Sequence, residues 1–344
     1  MGAGFCVDVS GITILICTCN RSAQLARTLD RVGQLATRAD CSVDVIVVDN
    51  NSSDATPDVV ATAAAASPIP MRYAREERQG KSFALNTGLA LARGDVLALT
   101  DDDVIPESDW LERILAVFRA CDVVFAGGKV LPMWESPPPS WMLTKRAQDI
   151  WGPLALLDYG NERIFYSGSP HNRRRPLGAN LAVRRDSMIL IGGWRTDLGR
   201  PGGTLISGED HEIYFRLQRA GQFRGVYEPM MVVHHAVPAS RMTASYFRRW
   251  FFAAGQTRAL MGDDFFPGVD LRSVPRVAGV PRFLYRELIR LIVVWVRSWR
   301  RSRLDRQIEK LMIVRHAGLM WGFARGLSDR VPLAAQGAAN TPRA

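Results

Sequence analysis

Short runs of β-branched and aliphatic residues alternate with stretches of helical spacing through about the first 130 positions. Ile12 to Cys17 is an unbroken apolar run and predicts a strand. Ser22 to Ala36 carries Leu25, Leu29, Val32 and Leu35 on one helical face. The pattern then repeats. Val43 to Val48, Met71 to Ala74, Val96 to Thr100 and Val123 to Val130 read as strands, and Asp54 to Ala66, Ser82 to Ala92 and Trp110 to Arg119 as helices. Trp134 to Pro176 breaks the rhythm with Pro137, Pro138 and Pro139, scattered aromatics and a closing basic run, Arg173 to Arg175. Order returns with a strand at Asn180 to Val183, a helix at Glu209 to Ala220 and a strand at Arg224 to His235 that Pro229 should interrupt. From Ser240 onward the spacing is helical.

Strands alternating with helices predict an α/β domain with a mixed, mainly parallel sheet flanked by helices on both faces. In such sheets ligands sit at the carboxyl ends of strands, so polar residues just after strands carry the most weight. The irregular segment from Trp134 suits either a functional lid or a packed insertion. With 344 residues, 47% apolar and 23% charged, the chain can bury a large core. A net charge of +10 favours an anionic partner without choosing among nucleic acid, a phosphate-bearing substrate and an anionic membrane.

Five cysteines without a CxxC pair argue against a disulfide framework and for a reducing, cytoplasmic setting. The start of the chain lacks a basic segment followed by a long apolar one, so no signal peptide is expected. No run reaches the roughly 18 apolar residues of a spanning helix.

The sharpest chemical feature is Asp101, Asp102 and Asp103, directly after the strand Val96 to Thr100. Adjacent carboxylates repel unless something positive sits among them. A divalent cation bound to a diphosphate is one such partner, while a solvated acidic turn would look the same. Asp49, Asn50, Asn51, Ser52, Ser53 and Asp54 follow the second strand, and Thr18, Cys19, Asn20 and Arg21 the first. Gly80-Lys81-Ser82 looks like the end of a P-loop, but Arg75 stands where the leading glycine belongs, so that motif is rejected. Lys81, at a helix start, is either solvated or set against a phosphate. Gly202 and Gly203 lead into Gly208, Glu209, Asp210, His211 and Glu212, a helix start that is either simple dipole complementation or the place of a general base. His234 and His235 end a strand, and alternation lets only one of them face a site.

These pieces together resemble family 2 glycosyltransferases of the GT-A fold. The matching stretches are Ile16 to Arg21, Val47 to Asp54, Ala84 to Gly88, Gly94-Asp95 running into Asp101 to Asp103, Gly178 to Asn180, Gly192 to Trp194, Gly208 to Asp210, and His234-His235 followed by Arg241. The resemblance covers roughly residues 11 to 258. It implies an inverting enzyme that moves a sugar from a nucleoside diphosphate, UDP being the commonest, to an acceptor hydroxyl in polysaccharide or glycolipid synthesis. Thr18, Asn20, Arg21, Asp49, Asn51, Lys81, Asn86, Asp101 and Asp102 would bind or support the nucleotide sugar. Asp103 would hold Mn2+ or Mg2+ with His235, His234 being the alternate. Asp210 would be the base, with Glu209 beside it. Cys19 departs from the family's usual aromatic and puts a ring contact there in doubt.

The expected division is a catalytic domain over 1–240, split at about 130 into nucleotide-sugar and acceptor halves, a helical extension over 241–331, and a disordered tail over 332–344. Between Pro281 and Arg301, Arg282, Arg286, Arg290, Arg297 and Arg301 share a face opposite Leu284, Leu288, Leu291, Ile292, Trp295 and Trp299. That pattern predicts a helix lying on anionic lipid at the inner face of the cell membrane, with Leu311 to Phe323 as a second such element. A helix packed on the core is the plainer alternative. Such a location suits a lipid-linked or saccharide acceptor. The competing readings are a sugar-phosphate nucleotidyltransferase, disfavoured because no glycine-rich loop follows the first strand, and a basic nucleic-acid binder, disfavoured because the strand ends are acidic. No nucleic-acid partner is expected.

Overall fold

The computed structural model describes residues 9–167, 175–200, 204–266 and 268–329. Cys6 and the rest of the expected leaderless start up to Asp8, Arg173 and Arg174 of the basic run, Gly202 and Gly203, and the tail from Pro332 lie outside the described residues. The chain divides into two compact units. The first comprises Met1–Met133, Ala155–Trp194 and Ile213–Ala236, and the second Trp134–Leu154, Arg195–Glu212 and Val237–Ala344.

The first unit is an α/β layer structure. Its strands are β1 (Gly11–Thr18), β2 (Ser42–Asp49), β3 (Met71–Arg75), β4 (Val96–Asp101), β5 (Val104–Pro106), β6 (Phe125–Trp134), β7 (Ile164–Tyr166), β8 (Leu181–Arg184) and β9 (Gly225–Val237). Among the described residues they form one sheet in the order β3-β2-β1-β4-β8-β6-β9-β5, with β7 paired to β9. The first four strands run parallel, and β8 turns the sheet antiparallel. Helices α1 (Ser22–Gly33), α2 (Thr56–Ala66), α3 (Lys81–Leu91) and α4 (Trp110–Ala120) follow β1, β2, β3 and β5. Fully buried strand residues such as Ile14, Ile16, Val45, Val47 and Leu97 explain why these runs read as near-continuous apolar stretches rather than alternating ones.

The chain builds β1, β2 and β3 outward, then returns past β1 to place β4 on its other side. That reversal opens a crevice at the carboxyl ends of β1 and β4. Register fixes its floor, because Thr18 lies opposite Asp49 and Cys17 opposite Asp101. Helix α3 comes so close to β1 that a Cβ on Gly88 would lie 2.2 Å from a Leu15 methyl.

Asn180 ties the antiparallel half together. Its side chain is fully buried, accepts from Trp110 Nε1 at 2.9 Å and donates to the carbonyls of Lys129 and Met231, each at 2.9 Å. Asn180→Ala would strand a buried indole N–H and two carbonyls. A loss of about 2–4 kcal/mol in unfolding free energy is expected by urea titration.

Sequence spacing did not reveal β5, β7 or the short helix α5 (Arg185–Leu190), each too brief for a periodic signal. Strand β9 also runs through Pro229 without the expected break. Pro229 falls between the part of β9 paired with β7 and the part paired with β5, and the next donor, Met230 N, bonds Glu228 Oε1 at 3.2 Å.

The second unit is helical, with the N-terminal turn of α6 (Glu209–Arg219), then α7 (Ala244–Met261), α8 (Arg282–Arg297) and α9 (Arg303–Ala324). Residues 134–154 are a packed irregular insertion. Three short 3-10 turns there bury Met142, Ala147, Ile150 and Leu154, and Trp141 packs edge-on against Phe247. Helix α9 packs most of the expected second apolar element against its own unit. A Cβ on Gly318 would lie 2.0 Å from the Phe252 carbonyl of α7, and Leu311, Leu319 and Phe323 are buried. His316 Nε2 donates to the Leu284 carbonyl at 2.7 Å and anchors α8 to α9. Among the described residues no helix is long and apolar enough to cross a membrane.

Candidate functional site

The three aspartates after β4 meet two cations brought by the neighbouring elements. Arg21, just past β1, reaches Asp102 Oδ1 at 3.0 Å and Asp103 Oδ2 at 2.7 Å through Nη1. Lys81, the first residue of α3, pairs with Asp101. Lys81 is therefore held by an ion pair rather than simply solvated. Just before the helix, Asn50 Oδ1 accepts from Gly80 N at 2.8 Å.

Asp102 is buried, accepts from the Thr18 hydroxyl at 2.7 Å, and its main-chain carbonyl accepts from the Thr28 hydroxyl at 2.9 Å. Burial raises its carboxyl to about 6; Arg21 and Thr18 pull it down, and its two aspartate neighbours push it further up. Burial disfavours the charge on Arg21, but Asp102 and Asp103 more than offset this, so the guanidinium is more basic than usual. Charge balance at this strand end thus comes partly from the chain itself.

Strand pairing sets the two histidines. Val104 lies opposite His235 and Ile105 opposite His234. His235 is 2% exposed, and its Nε2 stands 3.3 Å from Asp103 Oδ1. His234 sits on the other face, where its Nε2 is 2.7 Å from Glu107 Oε1. The structure therefore brings His235, and not His234, to the aspartates.

The Asp103–His235 pair fits a divalent cation. At 3.3 Å the two atoms are beyond the usual N–H···O range of about 2.7–3.2 Å. Two ligands about 2.1 Å from a metal at adjacent octahedral positions lie about 3 Å apart. The buried His235 Nδ1 also has no protein hydrogen-bond partner. Among the described residues no group of three His, Cys, Asp or Glu side chains converges on one point.

The nucleotide-side candidates form a second cluster. Asp49 is wholly buried and accepts from Ser52 N at 2.8 Å and the Tyr73 hydroxyl at 2.7 Å, with Arg75 at 3.5 Å. Asn20 and Asn51 both adopt left-handed backbone, with φ of 53° and 63°. Asn20 Oδ1 caps Ser53 N at 2.8 Å, and Asn51 Oδ1 accepts from Arg75 at 2.7 Å. Asp54 joins the same corner by accepting from Ser22 N and from the Thr56 hydroxyl, which is the first of the bonds that lower its carboxyl to about 2. Asn86 has a supporting position: its amide donates to the Trp194 carbonyl at 2.8 Å and accepts from Trp194 N at 2.7 Å.

Sequence reasoning passed over Tyr73, Arg75 and Glu76. Tyr73 and Arg75 meet Asp49, while Glu76 binds Arg78 and, at 2.6 Å, the Thr87 hydroxyl. Tyr73 and Arg75 alternate along β3, the one signal that could have found them.

In the second unit, Gly208 has φ of 103° and precedes α6. A Cβ there would lie 2.6 Å from a Thr257 methyl, so both backbone and space call for glycine. Glu209 and Glu212 are buried, and Asp210 is half-buried with Oδ1 3.2 Å from His211 Nδ1. Three acids in the first turn suit the positive end of the helix.

Known proteins share this organisation. The profile described as Glycosyl transferase family 2 matches residues 13–176. The chain is 25% identical over 227 residues to a glucosyl-dolichyl phosphate glucuronosyltransferase of Haloferax volcanii, covering 65% of this chain and 68% of the relative. It is 26% identical over 237 residues to the glycosyltransferase AglE of the same organism, covering 69% and 71%. A mannosyltransferase from Pyrobaculum calidifontis, solved in complex with GDP-Man and Mn2+, superposes with a TM-score of 0.51 at 19% identity, over 96% of this chain and 76% of that one, and shares the fold. The strand-end carboxylates, the parallel half-sheet beneath them and these likenesses agree: residues 13–176, a little under half of the chain, carry the sequence pattern of the family 2 glycosyltransferases.

Proposed function

We propose that this protein transfers a sugar from a nucleoside diphosphate to an acceptor hydroxyl with inversion at the anomeric carbon. The observation that carries the reading is the Asp103–His235 pair, 3.3 Å apart beside the crevice where β1 and β4 end. In this reading the two side chains would hold Mn2+ or Mg2+ beside the bound diphosphate. The bound cation supplies charge neutralisation for the departing diphosphate.

The chain's own groups do the rest. Arg21 holds Asp102 and Asp103 in place through its two ion pairs. Asp49, with Tyr73 and Arg75 around it, faces the base, while Asn20 and Asn51 shape the turn that receives the ribose. Asp101, turned by Lys81, and Asn86, through its clasp on Trp194, support the sugar-nucleotide bed. Asp210 takes the proton from the acceptor hydroxyl, and the oxygen then attacks the anomeric carbon opposite the leaving group. One bond forms, the glycosyl–phosphate bond breaks, and the nucleoside diphosphate leaves with the electron pair.

UDP is the favoured donor nucleotide, with GDP tested beside it because the mannosyltransferase of the same fold is in complex with GDP-Man. The acceptor is a lipid-linked or free saccharide, in line with the relative named for action on glucosyl-dolichyl phosphate. The enzyme would work peripherally at the inner face of the cell membrane.

The experiment is thermal unfolding with UDP and GDP, each with and without Mn2+. A nucleotide at a hundredfold excess over its dissociation constant stabilises by about 2.7 kcal/mol, which raises Tm by about 4 °C in a chain of this size. The shift should need nucleotide and Mn2+ together. Equal shifts without metal would contradict the reading.

A further inference from the structure

Helix α8 carries apolar residues on two faces, and only one of them is packed. Leu284 is buried, and Leu288, Leu291 and Trp295 are partly covered. Ile289 is 63% exposed, Ile292 41%, Val293 42%, Val296 55%, and Trp299, just past the helix, 62%. The outward stripe keeps Ile292 and Trp299 of the face that the sequence pattern favoured and adds Ile289, Val293 and Val296, which lie towards the arginines. Arg282, Arg286, Arg290 and Arg297 run along its border and are all exposed.

The stripe ends in a cleft of about 220 Å³ lined by Trp295, Trp299, Arg303, Arg306, Gln307 and Lys310. The last four occupy one face of α9 at helical spacing. The two indoles meet edge-to-face at 6.0 Å, and the Arg306 guanidinium lies 5.7 Å from the Trp299 ring. Arg303 and Arg306 stand in the first turn of α9, where the helix dipole disfavours cations. Asp305 offsets this only in part, because it also accepts from Arg146 at 3.1 Å. An anion in the cleft would relieve the repulsion.

We propose that this face docks on an anionic phospholipid surface, with the stripe Ile289 to Trp299 in the acyl–headgroup boundary and a lipid phosphate in the Trp295–Trp299–Arg306 cleft. A free anion would use the cleft alone, and a second copy of the chain would use the stripe alone. Trp299 belongs to both features, and a bilayer surface is the partner that uses both at once. An apolar stripe bordered by arginine, with indole at headgroup depth, is the composition of an interfacial helix. The proposal stands independently of the transfer reaction.

The test is flotation of the full chain with phosphatidylcholine vesicles and with vesicles of about 30% phosphatidylglycerol, at physiological salt. Binding should be at least about tenfold stronger to the anionic vesicles and weaken at high salt. Ile292→Glu with Val296→Glu, and separately Arg303→Glu with Arg306→Glu, should each cut it by about tenfold or more. Ile292, Val296 and Arg303 are exposed and Arg306 is half-buried at the cleft, so Tm should hold. Should a variant melt early, quenching of the wild-type tryptophan emission by lipids with brominated chains, lost in Trp299→Phe, gives the same answer on the intact fold. Transfer to a soluble acceptor should persist in all these variants, which separates this result from failure of the proposed reaction. Equal binding to uncharged vesicles would overturn the proposal. So would a dimer that Ile292→Glu with Val296→Glu dissociates in the absence of lipid binding, or stabilisation by inorganic phosphate alone without vesicle binding.

Discussion

Asp210→Asn should lower kcat by about a hundredfold to ten-thousandfold, the range a positioned general base contributes. It should leave affinity for the nucleotide and Mn2+ within about twofold, because the base acts on the acceptor proton only in the transition state. The substitution keeps size and removes charge. Asp210 is half-buried in the acidic first turn of α6, and the Gly208 backbone that precedes it sets where that turn begins. Glu209 is buried, and consecutive helical residues point about 100° apart, so Glu209→Gln reports on a different direction. If Glu209→Gln loses transfer while Asp210→Asn keeps it, the base is the buried glutamate.

Asp103→Asn should abolish the part of donor affinity that depends on Mn2+, a loss of about a hundredfold or more by calorimetry. Removing an outer partner of a metal ligand already costs about 10–100-fold, and a ligand itself should cost no less. His235→Gln should act in the same direction. His234→Ala, on the opposite face beside Glu107, should stay within about twofold of wild type. Arg21 keeps Asp102 at 3.0 Å when Asp103 loses its charge, so the strand end should hold its shape and Tm should move little. An undiminished response to Mn2+ in Asp103→Asn would remove the metal from this pair.

The parallel half of the fold was legible because its signals are local. Buried strands such as Ile12 to Cys17 and Val96 to Thr100 are unbroken apolar runs, and the turns after them hold the polar residues. The antiparallel half was less legible, because β5 and β7 have three residues each and exist through pairing with β9, which no local window reports. The same pairing decides between the histidines. Sequence alternation said that one of the two faces the site, and only the register of Val104 with His235 says which.

Charge pairing was hidden in a similar way. Lys81 read as either solvated or set against a phosphate, and its partner Asp101, twenty positions away, is one no local window reports. Asn86 was placed by the resemblance as binding or supporting the nucleotide sugar, and both groups of its amide are taken by the Trp194 backbone, a contact 108 positions distant that no local pattern shows. On α8 the composition was legible, but the division between packed and exposed apolar residues was not, because contact with α9 at Leu284 is a tertiary one.

Product analysis tests the central claim most directly. Incubated with a nucleotide sugar, Mn2+ and a hydroxyl acceptor, the protein should release free nucleoside diphosphate and a glycoside of inverted anomeric configuration. Release of pyrophosphate, or a glycoside that keeps the donor's configuration, would contradict the account.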